Sequence, residues 1–356
     1  MPSFREGKVA GLTEERHDIL RAVVTTSSGD VDAVGWPAML GPVEVGDRVV
    51  LNTTGIELGL GTGGSAFILW DLDGPGPPAE FAGHVVKLRY TPWQTDVLAA
   101  EAPESPHHDA LASATSIDGM PVVVCGLHSQ VAGVAAGIRA AAPGARVGYL
   151  MTDAGALPIA WSDLLRTLRA KGLLDVTCTS GHAFGGDLEA VNAFSGMIAL
   201  RHAANADVVI AALGPGIVGT NTALGFSGLE QGQLLDAATL LGGKSIACLR
   251  ISFADERERH RGVSHHSITS LRLATALRCT VAVPALPEEE GERVHLQLSA
   301  AGIEARHDLT WADGRPGLDV LTGAGVEVSS MGRSIDETPE LFLAAAAAGA
   351  VAAERL

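Results

Sequence analysis

Residues 121–151, PVVVCGLHSQVAGVAAGIRAAAPGARVGYLM, decide how the chain folds. An apolar run with three valines in succession (PVVVCGL) leads into small and aliphatic residues at helical spacing (VAGVAAGIRAAA), then a short turn (APGA), then a second apolar run (ARVGYLM). Runs that are apolar at every position, and not at alternate ones, belong to strands buried on both faces. A helix between two of them is the crossover of a parallel sheet. The pattern recurs down the chain, with strands expected at DVTCT (175–179), DVVIAAL (207–213), KSIACLRIS (244–252) and TVAVPAL (280–286). Helices are expected at WSDLLRTLRAKG (161–172), DLEAVNAFSGMIALRHA (187–203), LEQGQLLDAATLLGG (229–243) and HSITSLRLATALR (266–278). The expected fold is α/β: a doubly wound, mostly parallel sheet in a Rossmann-like three-layer arrangement, with right-handed crossovers.

Upstream the pattern changes. Residues 1–83 alternate β-type runs with turn residues (GKVAGL, VEVGDRVVLNTT, SAFILW) and read as a small all-β barrel or sandwich module preceding the α/β domain. The Gly/Pro-rich DLDGPGPPAEFAG (71–83) continues neither strand nor helix and marks the boundary. A connector (84–119) then leads into the α/β domain, 84–356. Downstream, PEEEGER reads as an exposed charged turn and VHLQLSAAGIEARHDLTW as irregular. GLDVLTGAGVEVSS reads as helix and strand, and the Ala-rich PELFLAAAAAGAVAAERL as a packed closing helix opened by Pro339.

The 356 residues carry 25 basic against 41 acidic side chains, a net charge of −16, which a phosphate backbone or an anionic lipid surface would repel. Neither nucleic acid nor membrane is an expected partner. No apolar run approaches the roughly 20 residues of a membrane span, and no charged-then-apolar leader opens the sequence, so a cytoplasmic protein is expected. Cys125, Cys178, Cys248 and Cys279 are widely spaced, without a C-x-x-C pair, and read as buried reduced thiols.

In an open parallel sheet, ligands bind beyond the carboxyl ends of the strands. The unusual residues fall at those ends: His128 after the first strand, Asp153 after the second, His182, Gly185, Gly186 and Asp187 after the third, GPGIVGTN after the fourth, and SFADERERHRGVSHHSIT (252–269) after the fifth. The loops on the opposite edge are ordinary. Gly214, Gly216 and Gly219 have G-x-G-x-x-G spacing and, with Thr220, read as an anion-binding loop or a plain turn. Pro215 removes one amide and no acid follows at the dinucleotide-site distance, so NAD is not expected as cofactor. The lysine of a P-loop is absent, and GFSGL around Ser227 lacks the G-x-S-x-G of a serine-hydrolase elbow.

Asp187 reads as the N-cap of the following helix or as a ligand-facing acid, with Glu189 and Asn192 on one helical face beyond it. His182 reads either as a satisfied buried histidine or as a general acid or base. Ser264 stands where an N-cap would precede a helix, which puts His265 and His266 in a first turn whose dipole favours neutral imidazoles. Adjacent helical residues point about 100° apart, so one of the pair is expected to face the site. Arg257 and Arg259 read as an anion patch or as a solvated, self-paired DERER turn. A divalent metal stays open as a cofactor. Its ligands would come from His128, Asp153, His182, Asp187, Asp255, His260, His265 and His266, although no pair of them has a recognised metal spacing.

LNTTGIELGLGTGG, VVKLRYTPWQ, GHAFGGDLEAVN, GPGIVGTNTALGFSGLEQGQ and RISFADERERHRGVSHHSIT, in that order, make the chain similar to the bacterial domain-of-unknown-function family 3866. The resemblance spans nearly the whole chain and implies no activity. The residues themselves lead to an enzyme, a hydrolase or group transferase, acting on a small anionic substrate. In that reading His265, His266, His182 and Asp187 are catalytic, while Gly214, Gly216, Gly219, Thr220, Arg257, Arg259, Asp153 and His128 bind the ligand. The alternative is a non-catalytic ligand-binding or assembly module, and Gly- and Ala-rich helices suit a homo-oligomer.

Overall fold

The computed structural model describes residues 2–61, 63–77 and 82–356. The chain forms two compact units, Met1–Asp96 and Val97–Leu356.

The first unit is a closed five-stranded barrel built from β1 (Phe4–Glu15), β2 (Leu20–Thr26), β3 (Gly29–Gly35), β4 (Arg48–Asn52) and β5 (Ala66–Asp71), in the order β1-β2-β3-β5-β4. Closure by the β4–β1 pairing removes the free edges that a small sheet would expose. Alternate residues of β2 (Leu20, Ala22, Val24) point inward and meet Val9, Val49, Leu51 and Ile68 in one core. The period-2 pattern of the sequence is the cause of this inward set.

The second unit holds an eight-stranded, all-parallel sheet. Its strands are β6 (Pro121–Val124), β7 (Val147–Thr152), β8 (Val176–Thr179), β9 (Leu188–Glu189), β10 (Val208–Leu213), β11 (Lys244–Cys248), β14 (Thr280–Pro284) and β15 (Asp308–Ala312). Between β11 and β14 lies a small antiparallel pair, β12 (Ile251–Ser252) and β13 (Gly262–Val263). The spatial order is β9-β8-β7-β10-β6-β11-β14-β15. β6 and β10 are neighbours, yet the chain leaves β6 toward β7 on one side and leaves β10 toward β11 on the other. The direction of winding therefore reverses at the centre of the sheet, where ligand crevices form.

Helices α1 (Gln130–Ala141), α2 (Asp163–Ala170), α3 (Ala193–His202), α4 (Glu230–Leu240), α5 (His265–Thr269), α6 (Glu288–Ala300), α7 (Arg315–Gly323) and α8 (Pro339–Ala353) complete the unit. One face of the sheet packs Met197, Leu200, Leu234, Leu235, Val294 and Leu298; the other packs Val131, Ile138, Leu168, Leu321 and Phe342. Each such side chain contributes roughly 1.5–3 kcal/mol on burial. The Ala-rich α8 is a core element because α1 meets it at backbone contact. A Cβ on Gly137 would overlap the Ala346 carbonyl, and one on Gly349 would overlap the Val134 carbonyl. Small residues are what let these two helices approach so closely. All four cysteines are buried free thiols.

Four expectations differ from the structure. Asp187 caps no helix: α3 begins six residues later at Ala193, and its N-cap is Asn192, whose side chain accepts from the amides of Phe194 and Ser195 in a capping box with Ser195. Glu189 lies in edge strand β9, not on a helical face, and accepts from Thr179 Oγ1 at 2.8 Å. The expected charged turn PEEEGER opens α6, because Glu288, Glu289 and Glu290 in a first turn favour the positive end of the helix. The segment beyond it, expected to be irregular, supplies the rest of α6 and edge strand β15, whose half-exposed residues lack the all-apolar signature of the inner strands.

Candidate functional site

A cleft of about 380 Å³ opens beyond the carboxyl end of β11. Its walls come from the loop 217–226 that follows β10, from Arg250, from Arg257, Arg259 and His260 in the excursion between β12 and β13, and from His265 and His266 at the start of α5. Two buried glutamines fix the strand ends beneath it. Gln130 accepts from the amides of Gly126 and Leu127 and donates to the Leu249 carbonyl at 2.8 Å. Gln231 donates to the carbonyls of Val124 and Cys248 at 2.9 and 2.8 Å. Both tie the end of β6 to the end of β11, just before Arg250.

The excursion is organised by Asp255, which is 3% exposed. Its carboxylate accepts from Arg257 Nε at 2.9 Å, Nη2 at 2.8 Å and the backbone amide at 3.0 Å, and Arg250 stands 3.5 Å away. The Arg257 guanidinium holds the Asp255 carboxyl far below the usual carboxylate range, so it stays ionised. Asp255 neutralises only one of the three guanidiniums present. Arg250 is buried; burial lowers it to about 10 against the pull of Asp255, and it remains a cation at neutral pH. Arg259 reaches across to the Asn221 side-chain oxygen and approaches His260 Nε2 at 3.4 Å.

Ser264 caps α5 by accepting from the His266 amide at 3.2 Å, and it stands 2.7 Å from His260 Nδ1. An arginine can only donate, so the Arg259 contact makes His260 Nε2 an acceptor. The proton then sits on Nδ1 and is donated to Ser264. The rings of His260, His265 and His266 touch one another, with centroids 4.4 to 5.0 Å apart. Phe226 stacks flat on His266 at 3.9 Å. Burial first, then neighbouring Arg250, pushes His260 down to about 3. Burial and the adjacent His265 do the same to His266, and burial with Arg259 lowers His265. All three are neutral imidazoles at physiological pH, with lone pairs available for a proton or a metal. One ligand nitrogen from each lies within 4.8 Å of the others.

Of the residues singled out from the sequence, the structure brings Gly219, Thr220, Arg257, Arg259, His260, His265 and His266 to this cleft. Both histidines of α5 line it, not one. They project from the first turn of a short helix, where two directions about 100° apart both reach a wall that His260 completes. Asp255 stands behind the wall as the partner of the arginines. Gly219 and Thr220 act within a hairpin: Gly219 bridges Phe226, and the Thr220 amide donates to the Gly225 carbonyl at 2.8 Å. Gly214 and Gly216 are not among the lining residues. A Cβ on Gly155 would overlap the Gly214 carbonyl, so Gly214 belongs to a close backbone crossing, and Gly216 turns the chain at φ +95°.

His128, Asp153, His182 and Asp187 lie elsewhere. His128 Nδ1 is 3.2 Å from both the Leu213 carbonyl and the Tyr149 hydroxyl, and Nε2 is 2.7 Å from the Ser162 hydroxyl. The carbonyl can only accept, so Nδ1 carries the proton and Nε2 accepts from Ser162, which also caps α2. Burial pushes this histidine down to about 4. Asp153 accepts from the His182 amide at 2.8 Å. Asp187 pairs with Arg169 at 2.6 Å and accepts from the Thr177 amide and hydroxyl, which ties down the sheet edge.

Arg250 and Phe226 complete the cleft without having been read as functional residues, and His260 was read only as a candidate metal ligand. The available signal was Arg250, a cation interrupting the apolar run IACLRIS at a strand end. Among the described residues, no helix is long and apolar enough to cross a membrane. No curated protein and no solved structure matches the chain. A family model does, over residues 32–349, and the chain belongs to the family described as Protein of unknown function (DUF3866).

Proposed function

We propose that this protein is a cytoplasmic enzyme that binds a small anion in the cleft beyond β11 and carries out hydrolysis or group transfer on it. One observation carries the reading: three guanidiniums, Arg250, Arg257 and Arg259, converge with three neutral imidazoles on one cleft of substrate size. Asp255 balances one positive charge, which leaves a site that an oxyanion would complete. Arg259 is the natural first contact, because its partner Asn221 is uncharged and does not neutralise it. Arg257 and Arg250 are held by Asp255 and act as a fixed positive background. A neutral imidazole next to a bound anion suits general-base or nucleophilic work, and the lowered pKa values favour the neutral form in the free protein.

The test is calorimetric titration of inorganic phosphate into the protein and into Arg259→Gln, with turnover assays on phosphate monoesters and small carboxylic esters. The reading expects about tenfold weaker phosphate binding for Arg259→Gln, equivalent to about 1.4 kcal/mol. It also expects loss of turnover in the double variant His265→Ala, His266→Ala with little change in thermal stability. Equal phosphate affinity in wild type and Arg259→Gln contradicts it. Binding with no turnover across the panel favours a non-catalytic ligand-binding module.

A further inference from the structure

We propose that His260, His265 and His266 form a three-imidazole site for a divalent transition metal, loaded together with the anion of the cleft. The proposal shares its walls with the anion reading above but stands on separate observations. The first is geometric: one ligand nitrogen from each ring lies within 4.8 Å of the other two. Metal–imidazole bonds of about 2.1 Å place tetrahedral ligands roughly 3.4 Å apart, so rotation of the rings about their side-chain torsions closes the set. The second is a defect in hydrogen bonding. His265 Nε2 is buried and has no hydrogen-bond partner among the described residues. A buried, unpaired ring nitrogen is costly and uncommon, and here it sits against the rings of His260 and His266, where an ion would take its lone pair. The third is support behind the ligands. His260 Nδ1 is held by Ser264 at 2.7 Å, which keeps the lone pair on Nε2, where a metal would displace the long 3.4 Å contact from Arg259, and Phe226 holds the plane of His266.

The same surroundings say which metal and under what condition. Three neutral nitrogen donors without a carboxylate suit zinc, cobalt or nickel in preference to magnesium or calcium. Three protein ligands leave at least one position for a further ligand, the arrangement of a catalytic centre and not a closed structural one. Arg250, Arg257 and Arg259 repel a dication, whereas an oxyanion bound to metal and guanidinium together offsets that repulsion. Metal and anion therefore bind with positive coupling, each raising the affinity of the other by the same factor.

The experiment titrates Co2+ into chelator-treated full-length protein in a chloride buffer, with and without inorganic phosphate, and follows visible d–d absorption and calorimetry. The proposal expects one Co2+ per chain with imidazole-type bands, about tenfold tighter binding when phosphate is present, and at least tenfold weaker binding in His265→Gln and in His260→Gln. His265→Gln removes the imidazole ligand while keeping bulk, and near-ultraviolet circular dichroism checks its fold. Absence of the bands in wild type overturns the proposal whatever the variants do. Bands unchanged in both variants assign the ion to another place, such as surface His295 beside Glu304, and also overturn it. Affinity unmoved by phosphate overturns joint loading. Phosphate titrated alone onto metal-free protein separates the two readings, because anion binding without Co2+ binding leaves the proposed function standing.

Discussion

Two histidine sites stand at the carboxyl edge of the same sheet, and they differ in one respect that matters. At His128 each ring nitrogen has a partner: the Leu213 carbonyl and Tyr149 hydroxyl on one side, the Ser162 hydroxyl on the other. In the cluster of His260, His265 and His266 the partners are incomplete: among the described residues His265 Nε2 has none, and Arg250 reaches His266 Nδ1 only at 3.4 Å. Burial lowers the proton affinity of histidines at both sites, so lowered pKa values do not separate them. Completeness of hydrogen bonding does. A saturated histidine is part of the frame, and an unsaturated group beside surplus cations has bonding capacity left for a ligand.

The largest effect that would sharpen the contrast is on stability. His128→Ala removes bonds from Ser162 and Tyr149 and leaves a void between β7, β10 and α2, with an expected loss of about 2–4 kcal/mol. His265→Ala removes a ring whose Nε2 has no partner among the described residues, at an open cleft, with an expected loss under about 1 kcal/mol. Chemical denaturation of the two variants measures both. Equal losses would erase the distinction between frame and site.

A smaller effect concerns pH. Histidines with folded pKa values below 6.5 bind fewer protons in the native than in the unfolded state. Their contribution to stability is complete above about pH 6.5 and is lost as pH falls toward 4 at His128 and 3 at His260 and His266. Melting temperature should thus be flat from pH 8 to 7 and decline below 6.5. Sulfate, whose charge is constant in this range, should make the decline shallower by stabilising imidazolium in the cleft. Arg259→Gln should remove the sulfate effect and leave the His128 contribution in place. A melting curve that sulfate leaves unchanged at pH 5 would break the comparison from the other side.

Much of the architecture was legible because strands buried on both faces write themselves as continuous apolar runs. All six expected inner strands are present, and the β module is a closed barrel. What stayed hidden was decided by contacts distant in sequence. Asp187 looked like a cap but is claimed by Thr177 and Arg169, and Asn192 and Ser195 cap α3 instead. Edge strand β15 shows one face to solvent and so carries no apolar run. At the site, chain position alone gathered every polar loop of the edge into one candidate list. Only three-dimensional pairing separates His128, satisfied by residues 34 and 85 positions away, from the cluster whose members lie within seven positions of each other. Local density of histidine and arginine, more than placement at a strand end, marks the residues that gather in the cleft.

The most direct test is nuclear magnetic resonance of the imidazole nitrogens in histidine-labelled protein, titrated with inorganic phosphate at neutral pH. The account predicts that the resonances of His260, His265 and His266 move with phosphate while those of His128 stay fixed, and that Arg259→Gln weakens the response. Movement of His128 with the cleft histidines unmoved, or no movement at any of them, would contradict the placement of the functional site in the cleft beyond β11.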